Sequence, residues 1–140
     1  MESRFKAYPL YFALPNGIMA DRKKTVVLGA SSNPARYSYL AVQRLRAHAH
    51  PVVAIGRRVG TVADVDITKE HLAESDVDTI TLYLNPKNQV EYYDYILGLR
   101  PKRIIFNPGT ENDELIERAR ENNIKPVIAC TLVMLSTGQY

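Results

Sequence analysis

The sequence predicts a three-layer α/β domain built on a doubly wound, five-stranded parallel sheet. Five short apolar runs alternate with four segments of helical pattern. Continuously apolar strands are typical of a parallel sheet that is covered on both faces. The first crossover, from residue 25 to residue 55, has the length of a strand–helix–strand unit, about 30 residues. Right-handed crossovers then place helices on both faces of the sheet.

The strands and the first helix follow from local patterns. We expect strands at residues 25–30, 52–55, 78–84, 102–106 and 125–130. The first helix begins near Pro34 or Ala35 and ends between His48 and Pro51, with leucines and alanines forming its apolar stripe.

Later helices are indicated by capping residues. Asn85 as N-cap and Pro86 at the first helical position begin one of them. Its apolar face is expected to carry Val90, Tyr93 and Leu97.

Three further segments have weaker helical signals. Thr68 is placed to cap a short helix over residues 69–74. Thr110 and Asp113 resemble a capping box for a helix that ends near Asn122. The last ten residues either add a turn of helix or cover an edge of the sheet.

Length and composition bound the class of protein. A chain of 140 residues with 46% hydrophobic residues forms one folded domain, and we assign residues 22–140 to it. Residues 1–21 are aromatic and proline-punctuated, and we treat them as an N-terminal extension. We find no apolar run of membrane-spanning length and no secretory signal pattern, and the single cysteine excludes an internal disulfide. The expected location is cytoplasmic.

The charge of the chain is unevenly distributed. Residues 22–63 contain no Asp or Glu and carry a local charge of +8, although the net charge is only +3. A basic half on a mildly acidic remainder favours an anionic ligand in the first half, or a solvated basic face without a specific partner.

The loop after the first strand has the composition of a phosphate-binding turn. Gly29 allows a sharp turn and Ala30 is small, while donors follow at Ser31, Ser32 and Asn33. Such a loop can present an anion to the positive end of the next helix, where Arg36 lies in the first turn. The alternative is an ordinary turn and helix cap. A dinucleotide fingerprint would need two more glycines.

The loop after the second strand distinguishes between ligands. A site for NAD carries Asp or Glu there, but this chain has Gly56, Arg57 and Arg58. Two guanidinium groups suit a phosphorylated ribose, as in NADP or coenzyme A. Alternatively, both arginines are ordinary surface residues.

Signals for catalysis or metal binding are weak. His48 and His50 flank the end of the first helix, where imidazoles favour the helix C-terminus. His71 lacks further metal ligands at a suitable spacing, and Cys130 is expected to be a buried, inert thiol. The sequence therefore predicts no catalytic residues and no metal site, and favours a binding or accessory protein over an enzyme.

These loops resemble a known family, the small stand-alone CoA-binding domains. Those proteins are Rossmann-like and similar to the CoA-binding domain of the succinyl-CoA synthetase alpha subunit. The resemblance covers residues 23 to 135. Its most specific part is a G-A-S-x-x-P-x-R-x-S-Y pattern, matched by Gly29, Ala30, Ser31, Pro34, Arg36, Ser38 and Tyr39. Weaker matches are Asn85 with Pro86, then Gly109, Asn112 and Glu114, and finally Cys130.

The resemblance implies that the chain binds coenzyme A or an acyl-CoA. It places the pyrophosphate on the first loop and helix, the adenosine near residues 56–58, and the pantetheine toward later loops that include Asn85 and Pro86. The family often has Asn-Pro and a basic residue after its second strand, whereas this chain has Gly56, Arg57 and Arg58.

The sequence leaves two alternatives to CoA binding open. One is an NADP-dependent oxidoreductase-like protein, against which stand the short length and the missing acid–base pair. The other is a nucleic-acid-binding module, which lacks a recognition-helix motif. No membrane partner is indicated, and the sequence leaves a homodimer, the acyl group and any reaction open.

Overall fold

The structure is a computed structural model and describes residues 11–13 and 19–140. The strands are β1 (Tyr11–Ala13), β2 (Met19–Asp21), β3 (Thr25–Leu28), β4 (Val52–Ile55), β5 (Gly60–Val62), β6 (Val65–Thr68), β7 (Thr79–Leu82), β8 (Arg103–Phe106) and β9 (Lys125–Ile128). The helices are α1 (Tyr37–Ala47), α2 (Pro86–Gln89), α3 (Tyr93–Leu99), α4 (Asp113–Glu121) and α5 (Thr131–Ser136), with a 3-10 turn at Val90–Tyr92.

The main sheet has the order β5-β6-β4-β3-β7-β8-β9. All neighbouring strands are parallel except β5 and β6, which pair antiparallel. The chain therefore builds outward from β3 to β4 and β6, and then returns to build β7, β8 and β9 on the other side. The predicted α/β class with a mostly parallel sheet is confirmed, but the predicted five strands are wrong, because the main sheet has seven.

Two strands that the sequence did not predict, β5 and β6, precede a segment that was predicted to be helical. Residues 69–74 are irregular, and the Thr68 hydroxyl accepts the Glu70 N–H as a local turn instead of capping a helix. The β5–β6 hairpin buries Val62, Val65 and Ile67 on the α1 side. Its other face is polar, so it offers no apolar surface for a helix to cover.

Two helix starts differ from expectation. α1 begins at Tyr37 because Asn33 first closes a turn, accepting the Ala35 N–H on its side-chain oxygen and the Arg36 N–H on its main-chain oxygen. α4 is capped by Asn112, so the predicted capping box at Thr110 is wrong. The Thr110 hydroxyl instead donates to the main-chain oxygen of Asn107.

The helix that begins after Asn85 is interrupted by the 3-10 turn. Tyr93 is buried and Leu97 packs against the core, but Val90 is 57% exposed. The tighter turn rotates Val90 away from the face that it was predicted to share.

An apolar layer covers each face of the sheet. α3 and α4 contribute to one layer, and α1 and α5 to the other. The end of the chain forms a helix, α5, which was one of the two expectations for it. This helix packs on α1.

The predicted extension lies mostly outside the described residues. Its described strands, β1 and β2, form a separate antiparallel pair. Within the described part of the chain, no helix has the length and apolar character needed to span a bilayer.

Candidate functional site

The first loop turns at Gly29, which directly follows β3 and has φ +89°. A side chain at this position would bring its Cβ to 2.6 Å from the main-chain oxygen of Tyr83, the residue after β7. Glycine is therefore required both by the backbone angle and by the close approach. This contact lies between β3 and β7, where the chain changes direction and where open α/β sheets bind ligands.

Main-chain hydrogen bonds fix the first two residues of this loop. The N–H groups of Gly29 and Ala30 both donate to the carbonyl oxygen of Ile55, at 2.9 Å each. The Ser31 hydroxyl accepts the N–H of Asn33 at 3.1 Å. Ser31 and Asn33 thus shape an ordinary turn but do not cap α1, and the N–H groups of Gly29 and Ala30 are turned toward the neighbouring strand.

The N-terminus of α1 has no side-chain cap among the described residues. Its N-cap residue is Arg36, which has extended backbone and no acceptor on its side chain. The first turn of α1 contains no acidic residue, Arg36 itself is exposed, and Ser38 is buried. The positive end of the helix dipole therefore lies beside an exposed guanidinium group.

The second loop packs directly on the first. A Cβ at Gly56 would overlap the carbonyl oxygen of Ala30, and a Cβ at Gly60 would come within 2.9 Å of the Ser32 side chain. Both ends of the segment 56–60 therefore approach the first loop closely. The structure brings together the two loops that the sequence treats separately.

Arg57 and Arg58 lie between these two contacts and are exposed. Val59, beside them, is 70% exposed. Arg57 lies near Tyr92, whose pKa is raised mainly by burial and also by Glu91, while the positive charge of Arg57 opposes the increase. The exposed cations of the first and second loops are thus Arg36 on the first and Arg57 and Arg58 on the second.

Asn85 and Pro86 have a structural role at the start of α2. The Asn85 side-chain oxygen accepts the N–H of Asn88 at 3.0 Å, and Pro86 occupies the first turn, as predicted. Leu84, just before them, is within 3.1 Å of a Cβ placed on Gly29. This loop therefore borders the first loop, although its capping side chain is already paired.

A buried polar network ties the later loops together. Asn112 donates to Gln89 at 2.9 Å and to the Tyr93 hydroxyl at 2.8 Å, and its own side-chain oxygen caps α4. Gln89 in turn donates to the main-chain oxygens of Leu84 and Thr110 at 2.8 Å. These bonds hold the loops after β7 and β8 at fixed positions beside the first loop.

A second part of this network reaches α5. Asn107 donates to Thr81 at 2.7 Å and accepts the N–H of Thr131 at 2.8 Å. The sequence indicated a helix cap at Thr110 in this loop, but not these long-range partners. The only available signal was a group of amide and hydroxyl residues directly after an apolar strand.

Tyr83 has a buried hydroxyl that sequence reasoning missed. It lacks a hydrogen-bond partner within the described residues, since the nearby hydroxyls of Thr81 and Thr131 pair with each other at 2.8 Å. Burial raises the pKa of Tyr83 well above its usual range, so this phenol stays protonated at neutral pH.

Each of the three histidines contacts other residues of the fold. His48 caps the end of α1 through Nδ1 and the Arg44 carbonyl, as the helix-end interpretation expected. His50 is buried instead, accepts the N–H of Lys23 on Nδ1, and has its pKa lowered to about 4 mainly by burial. The ring of His71 lies against that of Tyr92, with centroids 4.6 Å apart and the two planes tilted by 30°.

The remaining candidates for reactive groups are few. Cys130 is a free cysteine at the N-cap of α5. It is half-buried, whereas the sequence predicted a fully buried thiol. Among the described residues, no group of three or more His, Cys, Asp or Glu side chains is placed to hold a metal ion.

Comparison with solved structures shows the same fold in other proteins. An uncharacterised protein of known crystal structure is 53% identical, covers 86% of this chain and 100% of its own, and superimposes with a TM-score of 0.84. A hypothetical protein from Pyrococcus horikoshii OT3 is 22% identical, covering 83% of each chain with a TM-score of 0.74. A Thermus thermophilus protein is 21% identical, covering 85% of this chain and 91% of its own with a TM-score of 0.72.

Two further comparisons used the sequence. No curated protein matches the chain. A family model described as a CoA binding domain matches residues 23–136.

Proposed function

The chain belongs to the CoA-binding domain family, and we propose that it binds coenzyme A or an acyl-CoA across its first and second loops. The observation that carries the proposal is the packing of Gly56 and Gly60 against Ala30 and Ser32. Because of this contact, the segment that carries Arg57 and Arg58 is held against the first loop. A ligand with two separated anionic groups, a pyrophosphate and a ribose 3′-phosphate, matches this distribution of charge.

The residues of the first loop divide into two roles. Gly29 and Ala30 form the turn, since their N–H groups are occupied by Ile55. The pyrophosphate would therefore be held by the first turn of α1, by the hydroxyl groups of Ser31 and Ser32, and by Arg36. Asn33 and the buried Ser38 shape and support this turn.

The second loop supplies the contact that distinguishes between ligands. Arg57 and Arg58 are exposed, and a guanidinium group binds a phosphate in bidentate fashion. Removal of the 3′-phosphate from CoA should therefore weaken binding about tenfold or more, which corresponds to about 1.4 kcal/mol. Asn85 and Pro86 would border the pantetheine, with the side-chain oxygen of Asn85 already accepting the N–H of Asn88.

Calorimetric titration with CoA, dephospho-CoA and NADPH tests the proposal. We expect micromolar binding of CoA, a loss of about tenfold for dephospho-CoA, and weaker binding of NADPH than of CoA. In the double variant with Arg57→Ala and Arg58→Ala, the difference between CoA and dephospho-CoA should disappear. Arg120→Ala is the matched control, since Arg120 is exposed on α4 and pairs with Glu117 at 3.7 Å.

Two results would contradict this proposal. Tighter binding of NADPH than of CoA would favour the NADP-dependent alternative. Undiminished discrimination against dephospho-CoA in the double variant would show that the 3′-phosphate is not bound by Arg57 and Arg58.

A further inference from the structure

Tyr140 occupies a socket at the amino ends of the strands, whereas the candidate site lies at their carboxyl ends. Its main-chain oxygen accepts hydrogen bonds from Lys23 Nζ at 2.6 Å and from Arg103 Nη2 at 3.2 Å. Its ring lies against His50, with centroids 4.9 Å apart, and the Arg103 guanidinium lies 4.5 Å from the ring centroid. Its hydroxyl pairs with Thr25. The ring, the hydroxyl and this main-chain oxygen of Tyr140 therefore all contact other residues.

The socket is assembled from distant parts of the chain. Lys23 precedes β3, His50 precedes β4, and Arg103 begins β8, so all three lie at the amino ends of parallel strands. Tyr140 reaches them through residues 137–140, which we call the strap. The strap leaves α5 at Gly138, which has φ +71°, and the N–H groups of Gln139 and Tyr140 both donate to the Met134 carbonyl.

One apolar layer connects the strap to the candidate site. Tyr140 packs against the layer that contains Leu135 of α5, Val42 of α1 and Ala30 of the first loop. α5 packs directly on α1, and α1 carries the proposed anion-binding turn at its N-terminus. Tyr140 fixes α5 at the amino ends of the strands, and α5 packs on α1, which begins near their carboxyl ends. The position of Tyr140 can therefore affect the N-terminus of α1.

We propose that Tyr140 is a positioning residue that fastens α5 against α1 and so holds the first turn of α1 in its ligand-binding conformation. The effect on ligand affinity rests on the proposed CoA-binding function, but the effect on the order of α1 does not. The order of α1 and the affinity for CoA can be measured separately. A failure of the positioning role is therefore distinguishable from a failure of the CoA-binding proposal.

The first measurement is hydrogen exchange without ligand. In Tyr140→Ala, amides in the first two turns of α1 should exchange at least about threefold faster than in the parent. Gln139→Ala is the matched control, since Gln139 is on the same strap but exposed. Val77→Ala destabilises the apolar layer on the other face, where Val77 is 3% exposed, and should leave the first turns of α1 less affected than Tyr140→Ala does.

The second measurement is CoA affinity under conditions in which every variant is folded. Tyr140→Ala should weaken CoA binding at least about fivefold, the lower end of ordinary coupling between sites. Tyr140→Phe keeps the ring and main-chain contacts and should retain the parent affinity. By reciprocity, saturating CoA should slow exchange of the strap amides in the parent protein.

The outcomes separate the two proposals. Unchanged exchange in α1 of Tyr140→Ala, or equal effects from Tyr140→Ala and Val77→Ala, would overturn the positioning role whatever the ligand. Faster exchange in α1 together with no CoA binding by the parent would support the positioning role and contradict the CoA-binding proposal.

Discussion

The buried imidazole of His50 makes the stability of this protein depend on pH in a defined direction. Its side chain is 6% exposed and accepts the N–H of Lys23 at 2.9 Å, so the folded state requires the neutral form. Burial is the largest cause of the lowered pKa, followed by the positive charge of Lys23, then His48 and Arg103, while Asp78 acts in the opposite direction. The pKa is about 4, against 6.5 for the unperturbed side chain.

The sign and size of the effect follow from these two values. Below pH 6.5 the unfolded chain binds a proton at His50, but the folded chain does not until the pH approaches 4. The stability that His50 contributes is therefore present above pH 6.5 and lost as the pH falls toward 4. The full loss is at most about 3 kcal/mol, and about 2 kcal/mol of it should occur between pH 7 and pH 5.

Urea unfolding at pH 7 and pH 5 measures this loss. His50→Gln replaces the imidazole with a neutral side chain, so the variant should lose about 2 kcal/mol less than the parent over this interval. Carboxyl groups that titrate in the same range are common to both proteins and cancel in the comparison. Gln43→Ala is the control, since Gln43 is exposed on α1 and the substitution removes no titrating group, so this variant should keep the pH dependence of the parent. Equal pH dependence in the parent and in His50→Gln would refute the reasoning.

Two further predictions concern the candidate site and its support. Gly56→Ala should destabilise the fold by about 1–3 kcal/mol, because its Cβ would overlap the carbonyl oxygen of Ala30. Gly98→Ala, with open space around it in α3, should stabilise the fold by about 0.5–1 kcal/mol, and thermal unfolding of the two variants checks both signs. Asn112→Asp keeps an N-cap acceptor but cannot donate to Gln89, so it should be at least as destabilising as Asn112→Ala in urea unfolding. If Asn112→Asp left the free energy of unfolding unchanged, the contribution of Asn112 to stability would come from capping α4 alone.

The family and the central strands were predictable because their signals are local. The central strands β3, β4 and β7 are buried along their whole length, so their sequences are mostly apolar, as in Thr25–Leu28 and Val52–Ile55. The turn at Gly29 and the cap at Asn85 likewise depend on residues within a few positions of themselves. The structure confirms these features for that reason.

Features that depend on distant partners were not predictable in the same way. The cap of α4 is Asn112 and not Thr110, because Asn112 also binds Gln89 and Tyr93, more than 18 residues earlier in the sequence. The hairpin of β5 and β6 has only three and four residues in its strands, and it is stabilised by packing against α1. Short strands of this kind leave little periodicity to detect.

The candidate site lies between these two cases. Gly29 and the arginines could be recognised individually, but the reason for Gly56 is its contact with Ala30, which only the folded chain shows. The N–H groups of Gly29 and Ala30 both donate to Ile55, which ties the first loop to the strand that leads into Arg57 and Arg58. β4 thus holds the first loop. The same main-chain contacts therefore set the position of the proposed pyrophosphate and that of the proposed 3′-phosphate.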